Sequence, residues 1–340
     1  MSNPLIEILR APVGLTLQDM GRIGTTAIGL SQGGAMDKLA LIEAATLLGN
    51  ATVTPAIEFM GSGGSIRILS EVTIALTGAQ MPAHIGERRL TWNATHRVKA
   101  GDVITLGAPI DGVYGYLTLH AEIDTPFLFE SQSSHISAGV GHSFHQGDRV
   151  CGRAAGPTRS LKIRPIERFS GGVLRYLSGP QTDLFSPSDI QRFHETQFRA
   201  SHIANRRGIK VDFDGGPFMP QNAASIVSDI ILTGDIQMTG DGMPYVLMSE
   251  CQTMGGYPRI GTVIPNDLPV LAQSKSGTPI RFEQISLNQA DELMARSVTT
   301  HSVASQLSSL VRDPAEMNDL LSYQLISGAI TGYEETDPPK

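Results

Sequence analysis

Apolar residues in this chain come in short runs, and glycine- or proline-bearing turns separate them. With 36 glycines and 20 prolines in 340 residues, long regular helices are a poor fit, since either residue weakens a helix interior. Charged residues make up only 17% of the chain, too few for an array of solvated helices. Many short strands joined by tight turns are what remain. Leu5 to Leu9, Ser65 to Ile68, Val72 to Thr77, Val103 to Leu106 and Tyr114 to Leu119 read as such strands, and so do Leu161 to Ile163, Val173 to Leu177 and Pro244 to Met248. The fold class is therefore mainly β, with a few short helices, as a barrel or sandwich.

The helices announce themselves by their caps. Asp37 can N-cap a helix whose apolar residues Leu39, Ile42, Ala45 and Leu48 recur at helical spacing, with Gly49-Asn50 as its left-handed stop. Ser186, Pro187 and Asp189 start a second helix, with Phe185 placed to staple onto Ile190 and with Phe193 inward. Ser286 and Gln289 form a capping box for a third, to about Arg296. Val303 to Arg312 and Pro314 to Ile326 read as amphipathic tail helices, and Glu334 to Lys340 as a disordered end. Arg153 to Thr158 has linker composition. The expected organisation is a β-rich unit over 1–152, a linker over 153–158, a second β-rich unit over 159–297 and a helical tail over 298–340. Two Gly-led turns, Ala100-Gly101-Asp102 and Ser276-Gly277-Thr278, each precede a strand closing its half, a faint internal echo.

Net charge of −7 without a basic block excludes a phosphate-backbone reader, so no nucleic-acid partner is expected. No apolar run approaches the roughly 20 residues of a membrane span, and no basic-then-apolar leader opens the chain, so a cytoplasmic protein is expected. Two cysteines, Cys151 and Cys251, make no disulfide framework. Neither a Walker A loop nor a strand-flanked G-x-G-x-x-G occurs; Gly61-Ser62-Gly63-Gly64 lacks the lysine and the helix. His135, His142 and His145 lie near Cys151, but in a polar, glycine-rich segment, Ser131 to Asp148, that reads as an exposed loop rather than a metal site. Ser31, Ser131 and Ser133 lack a nucleophile elbow.

Three constellations remain. Asp19 and Arg22 stand three apart beside glycines, as a local ion pair or as a guanidinium fork for a carboxylate or acyl phosphate. Asn205-Arg206-Arg207-Gly208 sits at the mouth of a strand and reads first as a surface turn. Ser249 to Gln273 gathers Glu250, Gln252, Tyr257 and Arg259 around Gly255-Gly256 and Pro258 at the end of a buried strand. The two glycines would allow positive φ or close approach of a ligand. A carboxylate there can serve as general base, and tyrosine, glutamine and arginine can hold a carbonyl gaining negative charge. The same composition also fits a hairpin corner.

Gln18-Asp19-Met20-Gly21-Arg22-x-Gly24, Gly33-Gly34-Ala35-Met36-Asp37, Gly49-Asn50, Glu58, Gln252-Thr253-Met254-Gly255-Gly256-Tyr257-Pro258 and Asp267-Leu268-x-x-Leu271-Ala272-Gln273 together resemble one family. It is the family of the 5-oxoprolinase C subunit, also called allophanate hydrolase subunit 2 or the biotin-dependent carboxyltransferase family. The resemblance implies two β-rich domains of cyclophilin-like barrel type. It also implies a partner like the 5-oxoprolinase B subunit, with an A subunit in larger complexes, and ATP-consuming opening of a small amide or lactam such as 5-oxoproline. ATP would enter through the complex. Homologous regions act in urea carboxylases, where biotin on another protein donates the carboxyl group, and a non-catalytic regulatory role is a third possibility. On this resemblance Glu250, Tyr257 and Arg259 are the expected catalytic residues. Asp19, Arg22, Asp37, Arg206, Gln252, Thr253, Gly255, Gly256 and Gln273 are the expected substrate-binding set, and no metal is expected. The chain departs from the family pattern at His120-Ala121, at Glu130-Ser131-Gln132-Ser133-Ser134, at Arg206-Arg207-Gly208-Ile209 and at Cys251.

Overall fold

The computed structural model describes residues 3–220 and 227–311. Two seven-stranded sheets and a closed seven-stranded barrel carry it. The first sheet is ordered Ala121–Ile123, Arg149–Ala154, Asn3–Arg10, Ser65–Ile68, Val103–Leu106, Ala83–Ile85 and Arg88–Arg89. In the second, the order is Thr16–Gln18, Ala56–Met60, Tyr114–Leu119, Val72–Gly78, Ala94–Val98, Leu161–Ile163 and Leu307–Ser309. The barrel closes through Gly172–Leu177, Arg259–Val263, Asp235–Met238, Pro244–Leu247, Gly208–Asp212, Phe198–Ala204 and Pro279–Gln284. The protein is mainly β, as its punctuation demands.

Period-two alternation explains how the second sheet serves two cores. Ile57 and Phe59, with Leu117 and Leu119, face the first sheet and its apolar cluster. Ala56, Tyr114 and Tyr116 face the other way, into a cluster that continues through the barrel. Glu58 lies on that second face, directly paired in register with Tyr116. The barrel interior is aromatic: Phe193 of helix Pro187–Glu195 stacks on Phe282 with ring centroids 4.8 Å apart. Ser186 caps this helix by accepting from the Asp189 N–H.

Helix Lys38–Leu48 ends at Gly49, whose φ of 70° supplies the left-handed stop. Its burial is wider than a single face. Ala40, Leu41, Glu43, Ala44, Leu47 and Leu48 are buried, whereas the expected core residues Leu39 and Ile42 are only partly so. The reason is that this helix is packed between strand Val72–Gly78 and the tail helix Thr300–Val303. Two other expectations change for a similar reason, long-range pairing. Leu161–Ile163 joins the second sheet by pairing with Ala94, so it extends the first half rather than opening the barrel. The helix expected from Val303 ends at once: Val303 closes helix Thr300–Val303, a 3-10 turn follows over Ala304–Gln306, and Leu307–Ser309 is a strand against Leu161–Ile163, while Arg312 falls outside the described residues. Pro314 to Ile326 and Glu334 to Lys340 fall outside the described residues. Among the described residues, no helix is long and apolar enough to cross a membrane.

Candidate active site at the junction of sheet and barrel

Where the second sheet meets the barrel, a buried guanidinium holds carboxylates from both halves. Arg206 leaves the turn before strand Gly208–Asp212 and points inward, 8% exposed, which overturns the surface-turn reading. Its Nη1 donates to Glu58 Oε1. Nε donates to Glu250 Oε1 at 2.6 Å and Nη2 to the Gly34 carbonyl at 2.7 Å. Burial alone would lower its pKa, but the two facing carboxylates outweigh this and raise it, so Arg206 stays charged. Glu58 Oε2 accepts from Tyr116 Oη at 2.7 Å and from the Met36 N–H at 2.9 Å. Burial, then the Glu58 charge, push the Tyr116 phenol well above its ordinary range. Tyr116 therefore acts as a hydrogen-bond donor and not as a base.

A second arginine repeats the device nearby. Arg168 donates from Nε to Asp37 Oδ2 at 2.7 Å and grips Glu43 with Nη1 and Nη2 at 3.0 and 2.8 Å. Desolvation raises the Glu43 pKa, with Arg168 opposing. Asp37 caps its helix through the Ala40 N–H and accepts from Gln273 Nε2 at 2.7 Å. Gln273 Oε1 in turn accepts the backbone N–H groups of Val113 and Tyr114 at 2.8 and 3.0 Å. Asp37, Arg206 and Gln273 are thus brought together as the frame between the halves.

Glu250 occupies the loop after strand Pro244–Leu247 and is 4% exposed. Its N–H donates to the Arg206 carbonyl at 2.7 Å, and the preceding Ser249 carbonyl accepts from the Gly33 N–H at 2.9 Å. With Oε1 held by Arg206, Oε2 faces Ser137 N and Oγ at 3.5 Å and His135 Nδ1 at 3.9 Å. His135 Nε2 lies 2.7 Å from Ser31 Oγ. Burial lowers the His135 pKa, opposed by Glu250, which favours the neutral imidazole. One carboxylate oxygen beside a neutral imidazole is an arrangement that can accept a proton.

Of the other expected residues, Arg22 lies beside His135 and the rest lie outside the ionic junction. Asp19 and Arg22 form no ion pair. Asp19 takes Gly21 N, Ser131 Oγ and Gln132 N at 2.7–2.8 Å, while Arg22, 1% exposed, donates to Ser133 Oγ at 3.0 Å and to its carbonyl. These contacts bury Ser131 to His135, correcting the exposed-loop reading for that part of the segment. Burial lowers the Arg22 pKa, against the Asp19 and Glu250 charges. Arg259 is ion-paired with Asp229 and Asp235 and also touches Gln181, and none of these contacts reaches Glu250. Tyr257 and Gln252 are exposed, and the Thr253 carbonyl accepts from the Ile231 N–H. Gly255 and Gly256 do not adopt positive φ; Gly255 pairs with Asp229, and a Cβ there would meet Ile231 and Gln237 at 3.0 Å. The smallness of Gly255 serves packing against a neighbouring strand. The reading missed Glu43, Arg168, Tyr116 and His135 as members of the junction. Glu43 and Glu58 carry a usable signal, a lone carboxylate inside an apolar run.

Comparison with known proteins matches residues 28–284 to the family described as "Carboxyltransferase domain, subdomain A and B". The chain belongs to this carboxyltransferase family. The 5-oxoprolinase C subunit of Escherichia coli is 32% identical over 293 residues, covering 84% of this chain and 93% of that protein. The Haemophilus influenzae protein of the same name is 30% identical over 298 residues, covering 86% and 95%. In structure, the Kluyveromyces lactis urea amidolyase superposes with a TM-score of 0.76 at 22% identity, over 87% of this chain but 19% of that one. That likeness speaks to the fold. In this carboxyltransferase-family chain, Glu58, Asp37 and Glu250, scattered over the sequence, converge on the two arginines of one junction, and Gln273 joins it through Asp37.

Proposed function

We propose that this chain is one component of an ATP-dependent hydrolase that opens a small amide or lactam of the 5-oxoproline kind, working with a partner like the 5-oxoprolinase B subunit and, in a larger assembly, with one like the A subunit. The observation that carries the reading is end-to-end similarity to two 5-oxoprolinase C subunits, at 30% and 32% identity over 95% and 93% of their lengths. The junction supplies chemistry of the right kind. Glu250 Oε2 is the proton acceptor, positioned by Arg206 and flanked by neutral His135. The amide oxygen that gains charge would need donors, and Tyr257, Gln252 and Arg259, on the loop and strand that follow, are assigned that role at a partner-completed site. Asp19 and Arg22 act on the substrate indirectly, by fixing the Ser131–His135 segment behind His135.

No nucleotide-phosphate cradle fits the Gly61–Gly64 turn. It is closed by packing, with a Cβ at Gly63 falling 2.0 Å from the Leu106 carbonyl. ATP is therefore assigned to the partner side, and no step here runs through it. A second reading, transfer of a carboxyl group from biotin borne on another protein, is favoured by the family match itself. Co-purification with the B-like partner, followed by parallel assays of ATP-dependent glutamate release and urea carboxylation, separates the two. Glutamate release without urea carboxylation supports the hydrolase, and the converse supports the carboxyltransferase.

A further inference from the structure

Beside the junction lies a cavity of about 120 Å³ that none of the residues expected from the sequence lines. At roughly 30 Å³ per water this is room for about four waters, or for one small ring with a substituent. Its polar wall is Gln32, Lys38, Thr233 and Ser249; its apolar wall includes Met248, Leu268 and Pro269. Ser249 is the residue before Glu250, so the cavity is one peptide away from the proposed proton acceptor.

Lys38 is the unusual member. It occupies the first position of helix Lys38–Leu48, where the helix dipole disfavours a cation. Among the described residues it makes no hydrogen bond and no ion pair within 4 Å, although every other charged side chain named at this junction is paired or hydrogen-bonded. The nearest compensation is the more distant charge of Asp19, and burial brings the ammonium down to about 8. A half-buried ammonium at a cation-averse helix start is a cost to the folded chain unless an anion joins it.

We infer that this cavity binds a small aliphatic carboxylate, with Lys38 as the counter-ion of its carboxyl group and the Met248, Leu268 and Pro269 wall against its hydrocarbon ring. The identity of the ring rests on the amide-hydrolase reading. Lys38 then becomes a specificity determinant that separates a lactam bearing a carboxylate from urea, which has neither a charge nor an apolar face. Thr233 and Ser249 hydroxyls complete the polar end. Their present bonds are long, from Thr233 Oγ1 to the Met248 carbonyl at 3.3 Å and from Ser249 Oγ to the Ala35 carbonyl at 3.4 Å, so each hydroxyl can turn to donate to a carboxylate oxygen instead.

The test is a titration of the full-length chain with 5-oxoproline, 2-pyrrolidone, cyclopentanecarboxylate and urea, in wild type and Lys38→Met, read by calorimetry or ligand-observed NMR. Expected are binding of both carboxylates, affinity for 2-pyrrolidone and urea lower by about tenfold or more, and loss of the carboxylate preference in Lys38→Met with 2-pyrrolidone unchanged. Should Lys38→Met fail to fold, the carboxylate-over-lactam preference of the wild type decides alone. Equal affinity for 5-oxoproline and 2-pyrrolidone in the wild type overturns the proposal. So does an unchanged KM for 5-oxoproline in a complex carrying Lys38→Met, an outcome that leaves the hydrolase reading standing. Lys38-dependent binding of cyclopentanecarboxylate by a chain whose complex releases no glutamate supports the pocket and removes the hydrolase reading instead.

Discussion

Replacing Arg206 by methionine removes the one cation shared by Glu58 and Glu250 while keeping much of the side-chain volume. Glu58 would retain Tyr116 Oη and the Met36 N–H, but Glu250 Oε1 would lose its close partner, and both carboxylates stay buried at 0% and 4% exposure. Breaking a buried pair from one side costs about 3–5 kcal/mol, a large part of the 5–15 kcal/mol that holds a typical domain folded. Urea unfolding of Arg206→Met and wild type at pH 7 should show that deficit. Trp92, the single tryptophan, sits in the first half with its indole N–H on the Gly78 carbonyl, so its fluorescence follows that half while circular dichroism follows the whole. Combining Arg206→Met with Glu58→Gln and Glu250→Gln should restore much of the loss. A deficit under about 1 kcal/mol at pH 7 refutes the reasoning.

Other perturbations give equally definite outcomes. Lys38→Met should stabilise the free chain at pH 7 by about 1 kcal/mol, a rise of about 2–4 °C in Tm. Because the folded Lys38 titrates near 8, below its unfolded value, wild-type stability recovers as pH rises through that range and the advantage of the variant should shrink by pH 10, as measured by thermal melts across pH. Gly34→Ala should cost more than about 3 kcal/mol or prevent folding, since φ is 83° and a Cβ would fall 2.6 Å from the Gly21 nitrogen; expression level and melting temperature report it. Arg259→Ala should unpair Asp229 and Asp235 and lower the stability of the loop carrying Tyr257 by about 1–3 kcal/mol, seen as faster amide exchange at Ile230 and Met254, with turnover of the complex reduced.

Much of the local structure was legible because its signals are local. The caps at Asp37, Ser186 and Ser286 formed as their sequences require, and strands such as Ser65–Ile68 and Tyr114–Leu119 run between the expected residues. What was not legible depends on partners far away in the chain. Nothing within Leu161–Ile163 says that it will pair with Ala94 and Leu307–Ser309 rather than with the barrel. Arg206 looks like a turn residue until Glu58, 148 positions earlier, and Glu250, 44 later, are placed around it. Ser131 to His135 reads as polar surface because its composition is polar, yet its groups are satisfied inside by Asp19, Arg22 and Ser31. The QTxGGYP motif identified the family correctly, while the buried ionic frame lay in residues that look ordinary one at a time.

The most direct test of the central claim, that this junction handles the amide, is the steady-state rate of ATP-dependent glutamate release from 5-oxoproline by the assembled complex carrying Glu250→Gln. The neutral amide keeps an acceptor for Arg206 Nε but cannot take a proton. The account predicts an assembled, folded complex with kcat reduced by about 10²–10⁴-fold. An assembled variant complex turning over at the wild-type rate would contradict it.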